Sequence, residues 1–362
     1  MQSRLARPPL TDLKRVRRLG VLRPDGIGDI VLTTGLLREL RQQLPEARIT
    51  LVCQTSWADW MRTCPWVDDV LDVDVSAPGG LRDPKRVLEL FRFVKRVWPL
   101  DLEVLLQPGS LYEYVPSRAL ALFSGAPVRM CWEDPYSGVD TGGVLHTHIL
   151  PFPNELHETD KCFRMLEAMG LESDGRRLAT WWTADNARRG EEIARGARNG
   201  RRKLVALGLA ASERRKRWPR QRYLDVVRDL AAREDVAFLA LGGSDVTDTC
   251  SWLSRQAPGV VTYPGDRLPL GAIWAAIARC DLYLGNDTGL MHMAAAARIP
   301  VVVVVGVAVG ARPGTRGDMS QTGPYDTPSR IIRPPAGTPP GVELGAALVP
   351  PEAVATAALE LL

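Results

Sequence analysis

Short runs dense in Val, Leu and Ile recur along the chain. They alternate with longer stretches whose apolar positions fall three and four residues apart. The runs at 19–23, 49–53, 69–73, 102–107 and 128–131 read as strands, and a second set follows at 204–209, 236–241, 260–263, 282–284 and 301–305. Helical patterns lie between them at 30–43, 84–97, 159–169, 221–233, 270–279 and 290–297. Continuously apolar strands are covered on both faces, and their alternation with helices indicates parallel sheets. The alternation occurs twice, separated by a polar, Gly- and Arg-rich stretch at 185–203. The predicted fold is therefore α/β, with two doubly wound Rossmann-like domains, 1–180 and 181–349. A Pro-, Gly- and Thr-rich stretch at 310–340 reads as a loop. A closing helix is expected at 350–362, with Pro351 in its first turn. Open parallel sheets bind ligands at the carboxyl ends of their strands. Two such domains facing each other predict a cleft lined by strand-end loops of both.

Composition narrows the function. The 362 residues are 45% apolar, enough for two cores. Lys and Arg number 46 against 42 Asp and Glu, a net of +4, which excludes a polybasic protein and makes any basic site local. None of the six cysteines forms a CxxC pair, which argues against a zinc knuckle or a thioredoxin-type centre. They read as reduced, buried thiols of a cytoplasmic protein. Four histidines are too few for a His-rich metal centre, and no metal is expected. The first 18 residues are rich in Arg and Lys and lack the apolar centre of a secretory signal. The longest apolar run, 299–311, is interrupted by Pro300, Gly306 and Gly310 and is too short to cross a bilayer.

Three loops carry candidate chemistry. The first is Arg23-Pro24-Asp25-Gly26-Ile27-Gly28-Asp29-Ile30, where a strand gives way to a helix starting near Asp29. Gly26 and Gly28 permit a tight turn and close approach of a ligand to the backbone. Asp29 has two readings, a helix cap or a general base facing the cleft. The third Gly of a dinucleotide fingerprint and the Walker Lys are both missing. The second loop is Gly285-Asn286-Asp287-Thr288-Gly289-Leu290-Met291-His292. Free amides at a helix start favour an anion. Asp287 and Thr288 read as caps, but a carboxylate there also suits the hydroxyls of a sugar. His292, one turn on, reads first as structural. The third is the basic run Ser212-Glu213-Arg214-Arg215-Lys216-Arg217-Trp218-Pro219. One dense cluster does not make a nucleic-acid surface. A Lys at the first strand end of the second domain can instead meet a diphosphate as a point charge. Asp245, after Gly242-Gly243-Ser244, is placed to hold ribose hydroxyls. Trp57 and Trp60, at helical spacing, read equally as core or as an acceptor pocket.

Together these pieces resemble glycosyltransferase family nine, the ADP-heptose:lipopolysaccharide heptosyltransferases. The first loop resembles the family's first motif, Lys216-Arg217-Trp218-Pro219 its Lys-x-Trp-Pro element, and Gly285 through Ala295 its Gly-x-Asp-Thr-Gly-x-x-His-x-x-Ala run. Pro264-Gly265-Asp266 fits the element ahead of that run. The likeness spans about 18 to 305. It implies the two-domain GT-B fold, with the acceptor on the N-terminal half and the nucleotide sugar on the C-terminal half. It also implies inverting, metal-independent transfer without a cofactor, the donor being ADP-heptose. Asp29 would be the base. Lys216 would stabilise the leaving diphosphate with Ser212 and the amides of Thr288 and Gly289. Asp287 would hold sugar hydroxyls, Asp245 the ribose, and Gly28 and His292 would support donor binding.

The chain departs from the family pattern in a long, Arg-bearing loop at 306–325 (Arg312, Arg316) and in Ala211-Ser212, where the family carries a Thr pair. Its richness in Ala, Arg and Pro is a bias of GC-rich genomes. The resemblance implies a lipopolysaccharide core as acceptor, and the composition bias adds another surface glycan, a lipid-linked glycan or a small molecule such as an aminoglycoside or nucleoside antibiotic as expected alternatives. The competing readings are a nucleotide-sugar epimerase, a Rossmann dehydrogenase, and a non-catalytic nucleotide-sugar-binding protein. Arg4, Arg7, Lys14, Arg15, Arg17 and Arg18 suggest either weak contact with the inner membrane surface or a solvated tail.

Overall fold

The computed structural model describes residues 15–74, 84–109, 120–133, 145–173, 175–211, 216–265, 267–307, 319–335, 338 and 345–362. The chain divides into two compact units, Met1–Leu178 and Ala179–Leu362. Each is built on a six-stranded, all-parallel sheet among the described residues.

In the first unit the strands are β1 (Arg18–Arg23), β2 (Arg48–Gln54), β3 (Asp69–Val73), β4 (Val104–Gln107), β5 (Val128–Trp132) and β6 (His148–Leu150), in the order β3-β2-β1-β4-β5-β6. The second sheet has β7 (Lys203–Gly208), β8 (Val236–Leu241), β9 (Val261–Thr262), β10 (Leu282–Asn286), β11 (Val301–Val304) and β12 (Ser329–Ile332), ordered β12-β11-β10-β7-β8-β9. Counted from each unit's own first strand, both orders are the same. In both, the order reverses between the first and fourth strands, β1 against β4 and β7 against β10. Ligands of doubly wound sheets bind outside the carboxyl ends of the strands at such a point.

The central strands are buried along nearly their whole length, as their unbroken apolar runs require. The first unit's helices are α1 (Ile27–Gln43), α2 (Thr55–Met61), α3 (Pro84–Val97) and α4 (Glu158–Ala168). The second unit's are α5 (Ala184–Arg198), α6 (Arg220–Arg233), α7 (Thr247–Gln256), α8 (Leu270–Ile277), α9 (Gly289–Ala296), α10 (Met319–Thr322) and α11 (Pro351–Leu361). The closing helix α11 buries Val354, Ala355 and Ala358 in the core of the second unit with Val302 and Val304 of β11. No helix among the described residues is long and apolar enough to cross a membrane.

Six elements differ from the sequence expectation, among them the helices α2, α7 and α10, which no expected helical pattern covers. β6 and β12 are edge strands, half-buried and partly polar, so no apolar run announces them. β12 lies inside the stretch expected to be loop. The polar segment at 185–203 contains α5, a full helix. Its local signals are complete: Thr183 caps it by accepting from the Asn186 N–H (3.2 Å), Asp185 sits in the first turn, Arg195 and Arg198 in the last, and Asn199 ends it in the left-handed region. Two glycines and the many charges disguised it.

One of those glycines is a packing device. A Cβ on Gly190 would stand 2.6 Å from Ala275 Cβ and 2.8 Å from Ala276 N, so α5 and α8 cross with almost no separation. Gly196 has nothing within 4 Å. Trp274 of α8 is fully buried beneath this crossing. It donates to the Met293 carbonyl (2.7 Å) and meets Trp181 edge-on at 5.2 Å. Gly190→Val is expected to cost about 1–3 kcal/mol by overpacking, whereas Gly196→Ala should gain up to about 1 kcal/mol. Urea unfolding of the two variants checks this, and equal effects would refute the assignment.

Candidate active site

The reversal point of the first sheet is occupied by charge. β1 ends on Arg23, whose side chain is 2% exposed. Its Nη2 donates to Asp29 Oδ1 (3.2 Å) and its Nε to the Asp29 carbonyl (3.3 Å). The same guanidinium lies 3.3 Å from Asp25 Oδ2 and 3.6 Å from Glu158 Oε2. Glu158, the first residue of α4, also accepts from Lys161 Nζ (2.7 Å), and that ammonium sits 4.2 Å from the centre of the Phe152 ring. Three carboxylates thus share two buried cations. The loop after the fourth strand closes over them: a Cβ on Gly109 would press on Arg23 Nη1 and lie 2.8 Å from Asp25 Oδ2, so a larger residue there would displace the cluster's own side chains.

Asp29 is the accessible member of the cluster. Its side chain is 38% exposed, against 14% for Asp25 and 17% for Glu158. It also serves the helix start, not as the N-cap residue itself but as the acid of a capping box. α1 begins at Ile27, two residues earlier than expected, with Gly26 at the N-cap and Gly28 in the first turn. From the third helical position Asp29 reaches back and accepts the Gly26 N–H at 3.2 Å. Burial of the cluster raises its pKa, Arg23 and the Gly26 amide oppose that, and the Asp25 and Glu158 charges raise it further, to about 6. Burial, with Glu158, also pushes the Asp25 carboxyl above its ordinary value.

The reversal point of the second sheet is built differently. Asn286, the last residue of β10, is fully buried and staples the neighbouring strand-end loop. It accepts from Trp218 N–H (3.0 Å) and donates to the carbonyls of Leu209 (2.9 Å) and Ala210 (3.3 Å). Trp218 is core: its indole is buried and donates to the Val349 carbonyl (3.1 Å). The staple brings Lys216 to Asp287, with Nζ 2.6 Å from Oδ2. Asp287 therefore faces Lys216 rather than capping α9, and Thr288 takes the N-cap position ahead of Gly289. Asp245, after β8, pairs with Arg217 (3.2 Å) on the surface beside the same loop. His292 is buried within α9. Ser212, Asp266, Arg312 and Arg316 lie outside the described residues.

The sequence reading assigned no role to Arg23, Asp25, Gly109, Glu158, Lys161 or Asn286. A charged residue closing an apolar strand, and a Glu–Lys pair three apart at a helix start, were the available signals. Of the tryptophan pair on α2, Trp60 is buried and Trp57 half-buried, and the Trp57 Nε1 has no hydrogen-bond partner among the described residues. Arg17 and Arg18 are ion-paired with Glu46 (3.6 Å) and with Asp101 and Glu103 (3.2 and 3.1 Å). Arg4, Arg7 and Lys14 lie outside the described residues. All six cysteines are free and buried, with thiols pushed up to about 11 for Cys162 and about 12 for Cys53, Cys64, Cys131, Cys250 and Cys280, chiefly by burial. Among the described residues no group of three or more His, Cys, Asp or Glu is arranged to hold a metal.

The sequence profile of glycosyltransferase family 9 (heptosyltransferase) matches residues 108–327, more than half of the chain. The chain belongs to glycosyltransferase family 9. This glycosyltransferase is similar in structure to the family 9 glycosyl transferase of Veillonella parvula DSM 2008, at 20% identity and a TM-score of 0.75 over 95% of this chain and 97% of that one. It is also similar to E. coli ADP-heptose lps heptosyltransferase II, at 16% identity and a TM-score of 0.68 over 95% and 98%. E. coli heptosyltransferase WaaC, solved with ADP, matches at 15% identity and a TM-score of 0.68 over 95% and 97%. At these identities the likeness carries the fold, which is GT-B. Comparison with curated sequences finds no significant match.

Lys161 holds the acidic cluster together. Lys161→Met should lower stability by about 3 kcal/mol, because Glu158, only 17% exposed, loses its nearest cation. Adding Glu158→Gln to that variant should recover part of the loss. Urea unfolding of the single and double variants measures this, and a neutral single variant would show that the pair is dispensable.

Proposed function

We propose that this family 9 glycosyltransferase moves a heptose from ADP-heptose to an acceptor hydroxyl by a metal-independent, inverting displacement. The observation that carries the reading is Asp29: a reachable carboxylate at the first sheet's reversal point, with a pKa near 6 and two hydrogen bonds fixing its direction. A general base works best when its pKa lies near the working pH. In this reading the first unit binds the acceptor and the second the donor. Asp29 takes the hydroxyl proton as the oxygen bonds to the anomeric carbon, and the bond from that carbon to the diphosphate breaks on the opposite face. ADP leaves with the electron pair. A single displacement of this kind inverts the anomeric centre.

Lys216 supports the donor role. An ammonium has three N–H donors, so it can keep Asp287 and still donate to a diphosphate oxygen. The free amides at the start of α9, at Thr288 and Gly289, add positive potential where the leaving charge grows. Asp287 is half-neutralised by Lys216, which lets it accept from sugar hydroxyls without repelling the phosphates. Asp245 holds the ribose, and Ser212, Gly28 and His292 complete the donor contacts. The ADP in the E. coli WaaC structure supports adenine as the base. The acceptor is a glycan, lipid-linked glycan or small-molecule hydroxyl, and the reaction belongs to the cytoplasmic side of the membrane.

The reading is tested on a panel of nucleotide sugars and acceptors by mass spectrometry. ADP-heptose is expected to turn over with release of ADP and a product of inverted configuration. Its kcat/KM should rise with pH through a single-proton limb centred near 6, because below that pH Asp29 holds the proton it must accept. Glu158→Gln should move the limb to lower pH by removing a negative neighbour. Turnover of a UDP- or GDP-sugar in preference, or a retained anomeric configuration, would refute the assignment.

A further inference from the structure

Seven large apolar side chains stand exposed among the described residues, and five of them belong to one stretch of the first unit: Leu88, Phe91, Trp98, Leu122 and Phe123. They are not scattered. Helix α3 runs on into a 3₁₀ turn at Trp98–Leu100. On its inner side Phe93 and Val97 are buried with Leu105 and Leu120 in the core of the first unit. At about 100° per residue, positions 88, 91, 95 and 98 fall together on the opposite side. Trp98, 68% exposed, extends that row onto the helical turn at 120–123, its ring 6.0 Å from that of Phe123. The helix is thus apolar on two faces, and nothing in the first unit's core needs the outer one.

The outer face is also cationic. By sequence α3 carries Lys85, Arg86, Arg92, Lys95 and Arg96 against a single acid, Glu89. Arg96 is committed to Asp72 (2.8 Å). Arg92 and Lys95 are exposed and have no ion pair among the described residues, and the Lys95 ammonium lies 4.8 Å from the centre of the Phe91 ring. A soluble surface seldom carries such a patch without a partner. Charge decides between partners. A second copy docked about a two-fold axis would bury this cationic face against the same cationic face, whose helix carries a single acid by sequence. An anionic bilayer meets both halves of the face. Phe91, Trp98 and Leu122 enter the boundary of headgroup and acyl chain, while the long side chains of Arg92 and Lys95 reach the phosphates.

We propose that the outer face of α3, extended by Trp98, Leu122 and Phe123, is a membrane-docking surface that seats on anionic phospholipid. Of the N-terminal basic residues to which the sequence gave such a role, Arg17 and Arg18 are paired with acids.

Flotation of the full chain with vesicles of phosphatidylcholine, with and without phosphatidylglycerol, tests the proposal. The parent is expected to float with the anionic vesicles and to be released by high salt. Phe91→Ser/Trp98→Ser and Arg92→Glu/Lys95→Glu should each weaken this partition by roughly tenfold or more. All the altered side chains are exposed, so the melting temperature and ADP binding should not change. A parent chain that ignores anionic vesicles overturns the proposal, as does undiminished partition of both variants. A parent dimer by light scattering that Phe91→Ser/Trp98→Ser dissociates would assign the face to a second copy and overturn it too.

Discussion

Everything chemical in this protein follows from where a parallel sheet changes direction. In each unit the first and fourth strands lie side by side, and the chain leaves them towards opposite flanks. The loops beyond them diverge and leave side chains and helix-start amides uncovered. Arg23, Asp25 and Asp29 follow the first strand of one sheet, and Gly109 follows its fourth. Lys216 follows the first strand of the other, and Asp287 its fourth. Loops that would otherwise need burial are free to carry charge here.

The two reversal points use that freedom in opposite ways. The first holds three carboxylates against two cations, so one negative charge is in excess and burial magnifies it. The result is a carboxyl that holds its proton up to about pH 6. Arg23 limits the effect: without its guanidinium the three acids could not be ionised together at this depth. The second point balances one cation against one acid, next to a helix start with its own positive potential. The first arrangement has the charge balance that suits a proton acceptor, and the second the balance that suits an anion cradle, which is why the proposed function divides them so. In the proposed reading the outward face of α3 adds a third level, because an enzyme docked there would meet a lipid-linked acceptor in the plane of the headgroups.

The repeated α/β alternation was legible because central parallel strands must be apolar throughout. What escaped were elements whose stability comes from neighbours. β6 and β12 are edges that borrow their backbone partners from one side only. α5 hides a packing glycine, Gly190, that looks like a helix breaker until α8 is laid across it. The loops of the site were visible as motifs, but not their wiring. Asp29 was legible as a helix-start acid, but not that it caps from the third helical position while also pairing with Arg23. Glu158 and Lys161 lie more than 130 residues from Arg23 and join it only through the fold. Asn286 sits inside a recognised motif, yet its role depends on Leu209, Ala210 and Trp218 being folded around it.

The central claim is that the Asp29 carboxylate is the proton acceptor of the transfer. Single-turnover transfer by Asp29→Asn, measured beside calorimetric binding of ADP, addresses it most directly. The account predicts a fall in transfer rate of roughly 10²–10⁴-fold with ADP affinity unchanged. Transfer at the parental rate, or an equal collapse of ADP affinity, would contradict it.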